Sequence, residues 1–168
     1  MKLFLLCIFV SLLCGCASNR IYIDSSEVEG LGAVVEFPAG NIVPITVNDV
    51  ISGSVIKLTN NESASYIGIY IPNIYAIPES ATRLNEALVI GSDIRLEFDL
   101  KERDSKGRLL VYVFTPDARL VNAEIVRSGL AKVLIVPPND KYREELLQAE
   151  KEARENKRGL WSEDIDDK

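Results

Sequence analysis

Residues 42–72 read "IVPITVNDVISGSVIKLTNNESASYIGIYIP", and this stretch decides the fold. Its partial alternation and its wealth of β-branched residues predict three consecutive strands. The first two strands are separated by Ser52-Gly53-Ser54, and the next break is "TNNES", whose short polar side chains bond their own backbone. Pro72 ends the third strand, "ASYIGIYI", because proline cannot donate a hydrogen bond to a sheet.

A helix and a β-hairpin are predicted next. Apolar residues recur at helical spacing from Ala81 to Leu88, with Pro78 in the first turn and Gly91 just past the end. The strands "DIRLEFDL" and "RLLVYVFT" follow, joined by the loop "KERDSKG". Gly107 is expected to give that loop a positive φ, which other residues resist.

Two more helices complete the pattern. The segment "VNAEIVRSGLA" predicts a short helix with Asn122 near its start and Gly129 near its end. The segment "DKYREELLQAEKEARENKRG" predicts a longer amphipathic helix. The order β-β-β-α-β-β-α-α predicts a mainly β, α+β fold, a small Greek-key barrel with three helices packed outside.

The chain begins with a stretch typical of an export signal, "MKLFLLCIFVSLLCGCASN". Leu13-Cys14-Gly15-Cys16 resembles the lipobox of bacterial lipoproteins, which implies cleavage after residue 15 and acylation of Cys16. The alternative is an ordinary secreted protein in which Cys16 is incidental. We therefore expect an exported lipoprotein, anchored to a membrane through Cys16. The absence of aspartate after that cysteine favours the outer membrane in a diderm bacterium.

The predicted organisation is a signal peptide at 1–15, a tether at 16–41, a barrel domain at 42–162 and an acidic tail at 163–168. All three cysteines lie at or before the predicted cleavage site, and the chain has no histidine. These counts exclude disulfides, Ser-His and Cys-His catalysis and the usual zinc sites from the mature domain. After cleavage, 18 basic residues face 25 acidic ones, a net charge of −7 that disfavours nucleic acid as a partner.

From about Ile42 to Trp161 the chain resembles the thermonuclease (staphylococcal nuclease) family. The resemblance is carried by "RDSKGRLLVYVF", by "LVNAEIVRSGLAKV" and by "KYREELLQAEKEARENKRGLW", in the family's order. It implies a five-stranded OB-type Greek-key barrel with three helices outside.

The catalytic positions implied by the resemblance are substituted. Active members carry Asp-Gly-Asp where this chain has Ser52-Gly53-Ser54, and an arginine where it has Ser65. They carry Asp-Thr-Pro-Glu where this chain has Tyr70-Ile71-Pro72-Asn73. In the family, the second turn aspartate and the strand-end aspartate hold calcium, the glutamate acts on the attacking water, and two arginines contact the phosphate. Only the hairpin arginine is retained, as Arg108.

These substitutions predict a catalytically degenerate domain without a cofactor. Hydroxyl, phenol and amide groups do not replace the carboxylates that bind calcium. We therefore expect a binding or assembly module at the cell envelope, with an unknown protein or polyanion as partner. One alternative is an active, divergent nuclease or phosphodiesterase that hydrolyses nucleic acid, with calcium held by other acids such as Asp49, Glu79 and Asp99. Another is a structural envelope protein without a ligand.

The remaining candidate residues have structural interpretations as well as functional ones. Arg108 is expected to pair with Asp104 or Glu102 rather than with a phosphate, and Trp161 is expected to pack on the barrel at the end of the last helix. Strand spacing predicts that Tyr66 and Tyr70 share one face. With Tyr75 they form either a stacking surface for bases or sugar rings, or half-buried positions of the barrel.

Overall fold

The computed structural model describes residues 43–162. The predicted signal peptide, the lipidation site Cys16, the tether at 16–41, Ile42 and the acidic tail at 163–168 lie outside the described residues. In the described part, no helix is both long and apolar enough to cross a bilayer.

Five strands close into a barrel, as the sequence predicts. They are β1 (Val43–Ser52), β2 (Val55–Leu58), β3 (Ser63–Tyr66), β5 (Asp93–Glu97) and β6 (Leu109–Phe114), in the spatial order β1-β2-β3-β6-β5. The strands β3 and β6 run parallel and the other neighbours run antiparallel, including β1 with β5, whose pairing closes the barrel. Closure leaves the barrel without an exposed edge on which another strand could pair.

Three helices pack outside, and this prediction is also confirmed. They are α1 (Ile77–Val89), α2 (Val121–Arg127) and α3 (Arg143–Glu155), and a 3-10 turn at Gly159–Trp161 follows. Pro78 lies in the first turn of α1, and Gly91 follows the helix with φ of +73°. On α3 the residues that face the core are Leu146, Ala149 and Ala153, at the spacing of one helical stripe.

The predicted third strand is in fact two strands. Gly68 has φ of +79° and breaks the run, so that β3 ends at Tyr66 and β4 covers only Ile69–Tyr70. The strand β4 leaves the barrel and pairs with β7 (Lys132–Val133), a two-stranded ribbon that the sequence does not predict. The prediction that Tyr66 and Tyr70 share a face is therefore wrong, since Tyr66 is 3% exposed and Tyr70 is 51% exposed.

Asn122 stabilises this break. Its side-chain oxygen accepts a hydrogen bond from Val113 N at 3.0 Å, and its Nδ2 donates to Ile67 O at 2.9 Å. Asn122 is fully buried inside α2 and satisfies one backbone group at the break and one of β6, rather than capping the helix as its position suggests.

The C-terminal Gly-Leu-Trp segment docks on α2 and α3. Leu160 N donates to Gly129 O at 2.8 Å, and a Cβ at Gly129 would lie 2.0 Å from Arg158 O, so that only glycine fits. Leu160 is buried, whereas Trp161 is half-buried and stacks against the Arg154 guanidinium, 3.6 Å from its ring centre. The ring thus contacts Arg154 of α3 and lies 5.4 Å from the Lys132 ammonium of β7.

Candidate functional site

The turn between β1 and β2 packs closely against α1 and the segment after β4. A Cβ added to Gly53 would lie 2.4 Å from Ala81 Cβ and 2.5 Å from Ile71 Cδ1, closer than real atoms approach. Ile71 lies directly between Tyr70 and Pro72. Two of the segments that the resemblance assigns to the metal site are therefore in contact in this fold.

A buried network fixes the backbone of that turn. Tyr66 donates its hydroxyl hydrogen to Asn85 Oδ1 at 2.7 Å, and Asn85 Nδ2 donates to Ser52 O at 2.9 Å. The backbone nitrogen of Tyr66 also donates to Ser54 O at 2.9 Å. Burial raises the pKa of Tyr66 far above that of an ordinary phenol, although the bond to Asn85 acts in the opposite direction.

Asn85 is a residue that the sequence analysis missed. It is fully buried on α1, one helical turn after the buried Ala81. The available signal was a polar residue on the apolar face of a predicted helix, because a buried amide requires partners for its polar atoms.

The substituted positions are half-buried or exposed, and Ser52 and Ser54 in the turn are both half-buried. Ser65 pairs with Val55 in the sheet, and its neighbours Ala64 and Tyr66 are buried, so that Ser65 lies on the outer face and is half-buried. Tyr70 and Asn73 are exposed.

Arg108 is engaged in an ion pair, as predicted. Its Nε lies 2.7 Å from Asp104 Oδ2, and its backbone nitrogen donates to Asp104 Oδ1 at 3.0 Å. Partial burial acts to raise the pKa of Asp104, but the hydrogen bonds from Arg108 and from Lys106 N lower it below the usual value. This pair holds the β5–β6 hairpin, where Gly107 has the predicted positive φ of +78°. Glu102, the other suggested partner, contributes a backbone carbonyl to Leu110 N instead.

The donor set does not fit the calcium ion that the resemblance implies. The four positions around the turn and the end of β4 offer two hydroxyls, a phenol and an amide, without a carboxylate; they are Ser52, Ser54, Tyr70 and Asn73. Calcium sites in proteins rely on several oxygen ligands, among which carboxylates supply the charge. Within residues 43–162, no group of three or more acids, histidines or cysteines is placed to hold a metal ion.

The three acids considered as a substitute set do not form one. Asp49 accepts a hydrogen bond from its neighbour Val50 N at 2.8 Å. Asp99 accepts from the Tyr112 hydroxyl and from Lys141 N, each at 3.1 Å, and so ties the β5–β6 loop to the segment before α3. The suggestion that Asp49, Glu79 and Asp99 together rebuild a metal site is therefore wrong.

Comparison with known proteins places this geometry in a family. The family model described as "Staphylococcal nuclease homologue" matches residues 68–163, which include Tyr70, Asn73 and Arg108 but not Ser52, Ser54 and Ser65. The assignment of those three serines rests on the resemblance and is consistent with the closeness of the turn to Ile71.

Several curated relatives are nucleases by name. The chain is 33% identical to SPbeta prophage-derived endonuclease YokF of Bacillus subtilis, over 72% of this chain and 45% of that protein. It is 31% identical to the thermonuclease of Staphylococcus intermedius, over 68% of this chain and 74% of that protein. An uncharacterized endonuclease of Escherichia coli O157:H7 is 33% identical over 67% of this chain and 73% of its own length. The chain thus spans less than half of YokF but most of the two shorter proteins. With its barrel, its three outer helices and these matches, the chain belongs to the staphylococcal nuclease homologue family.

Proposed function

We propose that this chain is a membrane-anchored lipoprotein whose nuclease-like domain does not hydrolyse nucleic acid and serves as a binding or assembly module at the cell envelope. One observation carries the proposal. By the family resemblance, Ser54 and Tyr70 hold the positions of the two calcium carboxylates, and Asn73 holds that of the glutamate that acts on the attacking water. The other aspartate of the turn is replaced by Ser52.

The chemistry of these side chains supports a loss of hydrolysis. Serine, tyrosine and asparagine oxygens offer calcium only dipoles, so the attraction between a dication and carboxylates is missing. The amide of Asn73 does not accept a proton from water as the glutamate would. Removal of one transition-state stabilising donor already lowers a rate by about 10²–10³-fold, and here several are replaced together. Arg108 is paired with Asp104 and does not supply these missing functions.

A second candidate is an active, divergent nuclease, and the names of the relatives favour it. YokF and the Staphylococcus intermedius protein are named as an endonuclease and a thermonuclease. The contact between Gly53 and Ile71 also brings together the segments that would hold a metal. This candidate requires acids outside the family's positions.

A cleavage assay tests the two candidates. The purified full chain is incubated with plasmid DNA, single-stranded DNA and RNA, with calcium or with a chelator. We expect no calcium-dependent cleavage. Cleavage by the wild type that the chelator abolishes would contradict the proposal and support the active nuclease.

A reconstituted variant is the positive control for the scaffold. It carries Ser52→Asp, Ser54→Asp, Ser65→Arg, Tyr70→Asp and Asn73→Glu. Because the turn and the end of β4 are in contact, we expect this variant to bind calcium in calorimetry where the wild type does not. Equal calcium binding by both proteins would contradict the assignment of the site.

The anchor is tested separately. Metabolic labelling with a clickable fatty acid is expected to mark the wild type but not Cys16→Ser. Equal labelling of the two would contradict the lipoprotein part of the proposal.

A further inference from the structure

The loop before α1 and the first turns of that helix form an open cavity of about 500 Å³, lined by Asn73, Tyr75, Ala76, Pro78, Glu79 and Arg83. This volume lies in the usual range for small-molecule sites, about 300–1,000 Å³. Asn73 occupies the position of the family's glutamate, so that the cavity adjoins the substituted site.

Two tyrosines expose their rings in the segment that contains Asn73. Tyr75 is 77% exposed and Tyr70 is 51% exposed. Tyr75 also has a positive φ of 20°, which residues other than glycine seldom adopt. Backbone outliers of this kind concentrate at functional sites. An exposed aromatic ring is a platform on which another ring can stack.

The polar side chains of the cavity can form hydrogen bonds beyond those they make within the protein. The side chains of Asn73 and Glu79 make no hydrogen bond or ion pair with another described residue. Arg83 donates once, to Ser80 Oγ at 3.2 Å, although its spacing of four residues from Glu79 on α1 is typical of an ion pair. The cavity therefore offers an amide, a carboxylate and a guanidinium, which together donate and accept hydrogen bonds.

The charge distribution favours a neutral ligand. The cavity holds one acid and one base, and residues 43–162 carry 16 lysines and arginines against 17 aspartates and glutamates, a net charge of −1. Proteins that bind nucleic acid present a basic surface, whereas the charges of Glu79 and Arg83 in this cavity cancel each other. A sugar ring has an apolar face that stacks on tyrosine and hydroxyl groups that both donate and accept hydrogen bonds.

We infer that this cavity binds a neutral oligosaccharide, with a sugar ring stacked on Tyr75 and its hydroxyl groups bonded to Asn73, Glu79 and Arg83. This inference rests on the proposed binding function and names its ligand class.

Titration of the full chain with two neutral tetrasaccharides tests the inference, one of β-1,4-linked N-acetylglucosamine and the other of β-1,4-linked glucose. Calorimetry measures affinity, and amide chemical shifts locate the site. We expect at least one probe to bind, with shifts concentrated at residues 73–83. Tyr75→Ala and Glu79→Gln should each weaken binding about tenfold, the loss of about 1.4 kcal/mol of contact. Leu100→Ala and Glu155→Gln are matched controls, because these exposed residues do not line the cavity.

Each outcome has a distinct meaning. Failure of both probes to bind at about 1 mM, with the wild type folded, would overturn the inference. Binding that Tyr75→Ala and Glu79→Gln leave unchanged would overturn the location. Binding of a single-stranded oligonucleotide that depends on Tyr75, without sugar binding, would replace the saccharide by nucleic acid. Calcium-dependent cleavage together with sugar binding would overturn the proposed loss of hydrolysis and leave the saccharide site standing.

Discussion

Replacing Asn85 by leucine is expected to destabilise the domain by about 2–6 kcal/mol, because two buried polar groups lose their partner at about 1–3 kcal/mol each. Asn85 is fully buried, accepts a hydrogen bond from the Tyr66 hydroxyl and donates one to Ser52 O. Leucine has a similar shape, so the loss reports on hydrogen bonding more than on packing. The same change removes the hydrogen bond that holds the Ser52 carbonyl in the turn. A loss of stability in the core would therefore accompany a change in the geometry of the substituted site.

A double-mutant cycle isolates the bond between Tyr66 and Asn85. Tyr66→Phe leaves one buried amide oxygen without its donor and should cost about 1–3 kcal/mol. The double variant Tyr66→Phe/Asn85→Leu removes both partners of the bond. Its loss of stability should be smaller than the sum of the two single losses, by about 1 kcal/mol or more.

Urea unfolding measures all four proteins. With a slope of about 1–3 kcal/mol per molar urea, Asn85→Leu should lower the midpoint by about 1 M or more. Asn73→Ala is the control, because Asn73 is an exposed asparagine without a described partner. Strictly additive losses, or a midpoint for Asn85→Leu equal to that of the control, would refute the role assigned to the network.

Three further predictions concern the surroundings of the site. Gly53→Ala should destabilise the domain by about 1–3 kcal/mol, since its Cβ would meet α1 at 2.4 Å, and an unchanged urea midpoint would contradict the close packing. Because the pKa of Asp104 is lowered in the folded domain, its pairing with Arg108 contributes above the ordinary aspartate pKa, near 3.9, and the contribution is lost as the pH falls through the lower folded value. The advantage of the wild type over Asp104→Asn at pH 7 should therefore shrink steadily as the pH falls below about 3.9, and an advantage that stays constant on acidification would contradict the pairing. Loss of a fully buried tryptophan typically costs about 3–5 kcal/mol, and Trp161→Ala should cost less because its ring is only half-buried and stacks on Arg154. Thermal unfolding measures this loss, which should be largely unchanged at high salt.

The barrel could be predicted because its strands are specified locally. Runs such as "VIKL" and "LLVYVF" combine β-branched and aromatic residues with turn residues at their ends, and each became a strand. Gly107 and Gly91 were likewise predictable, since both sit where the chain must turn with positive φ.

The break at Gly68 could not be predicted from its neighbours. The segment "ASYIGIYI" is mostly apolar, with three isoleucines and two tyrosines, so its pattern indicates one continuous strand. The ends of the break are fixed by residues far along the chain, as Asn122 accepts from Val113 N while donating to Ile67 O, and Lys132 pairs with Tyr70. Tertiary partners more than 50 residues away, such as Asn122 for Ile67, leave no mark on the local pattern.

Two of the substituted positions, Tyr70 and Asn73, do not belong to the residues that hold the fold. The backbone around the site is fixed by Gly53, Tyr66 and Asn85, which are buried and in contact with other elements. The side chains of Tyr70 and Asn73 are exposed, and their replacement changes little of the packing. Surface substitutions of this kind usually alter stability by less than about 0.5 kcal/mol, whereas loss of a buried polar partner costs several times more. The fold therefore tolerates exchange at Tyr70 and Asn73, because neither side chain takes part in the packing that specifies the barrel.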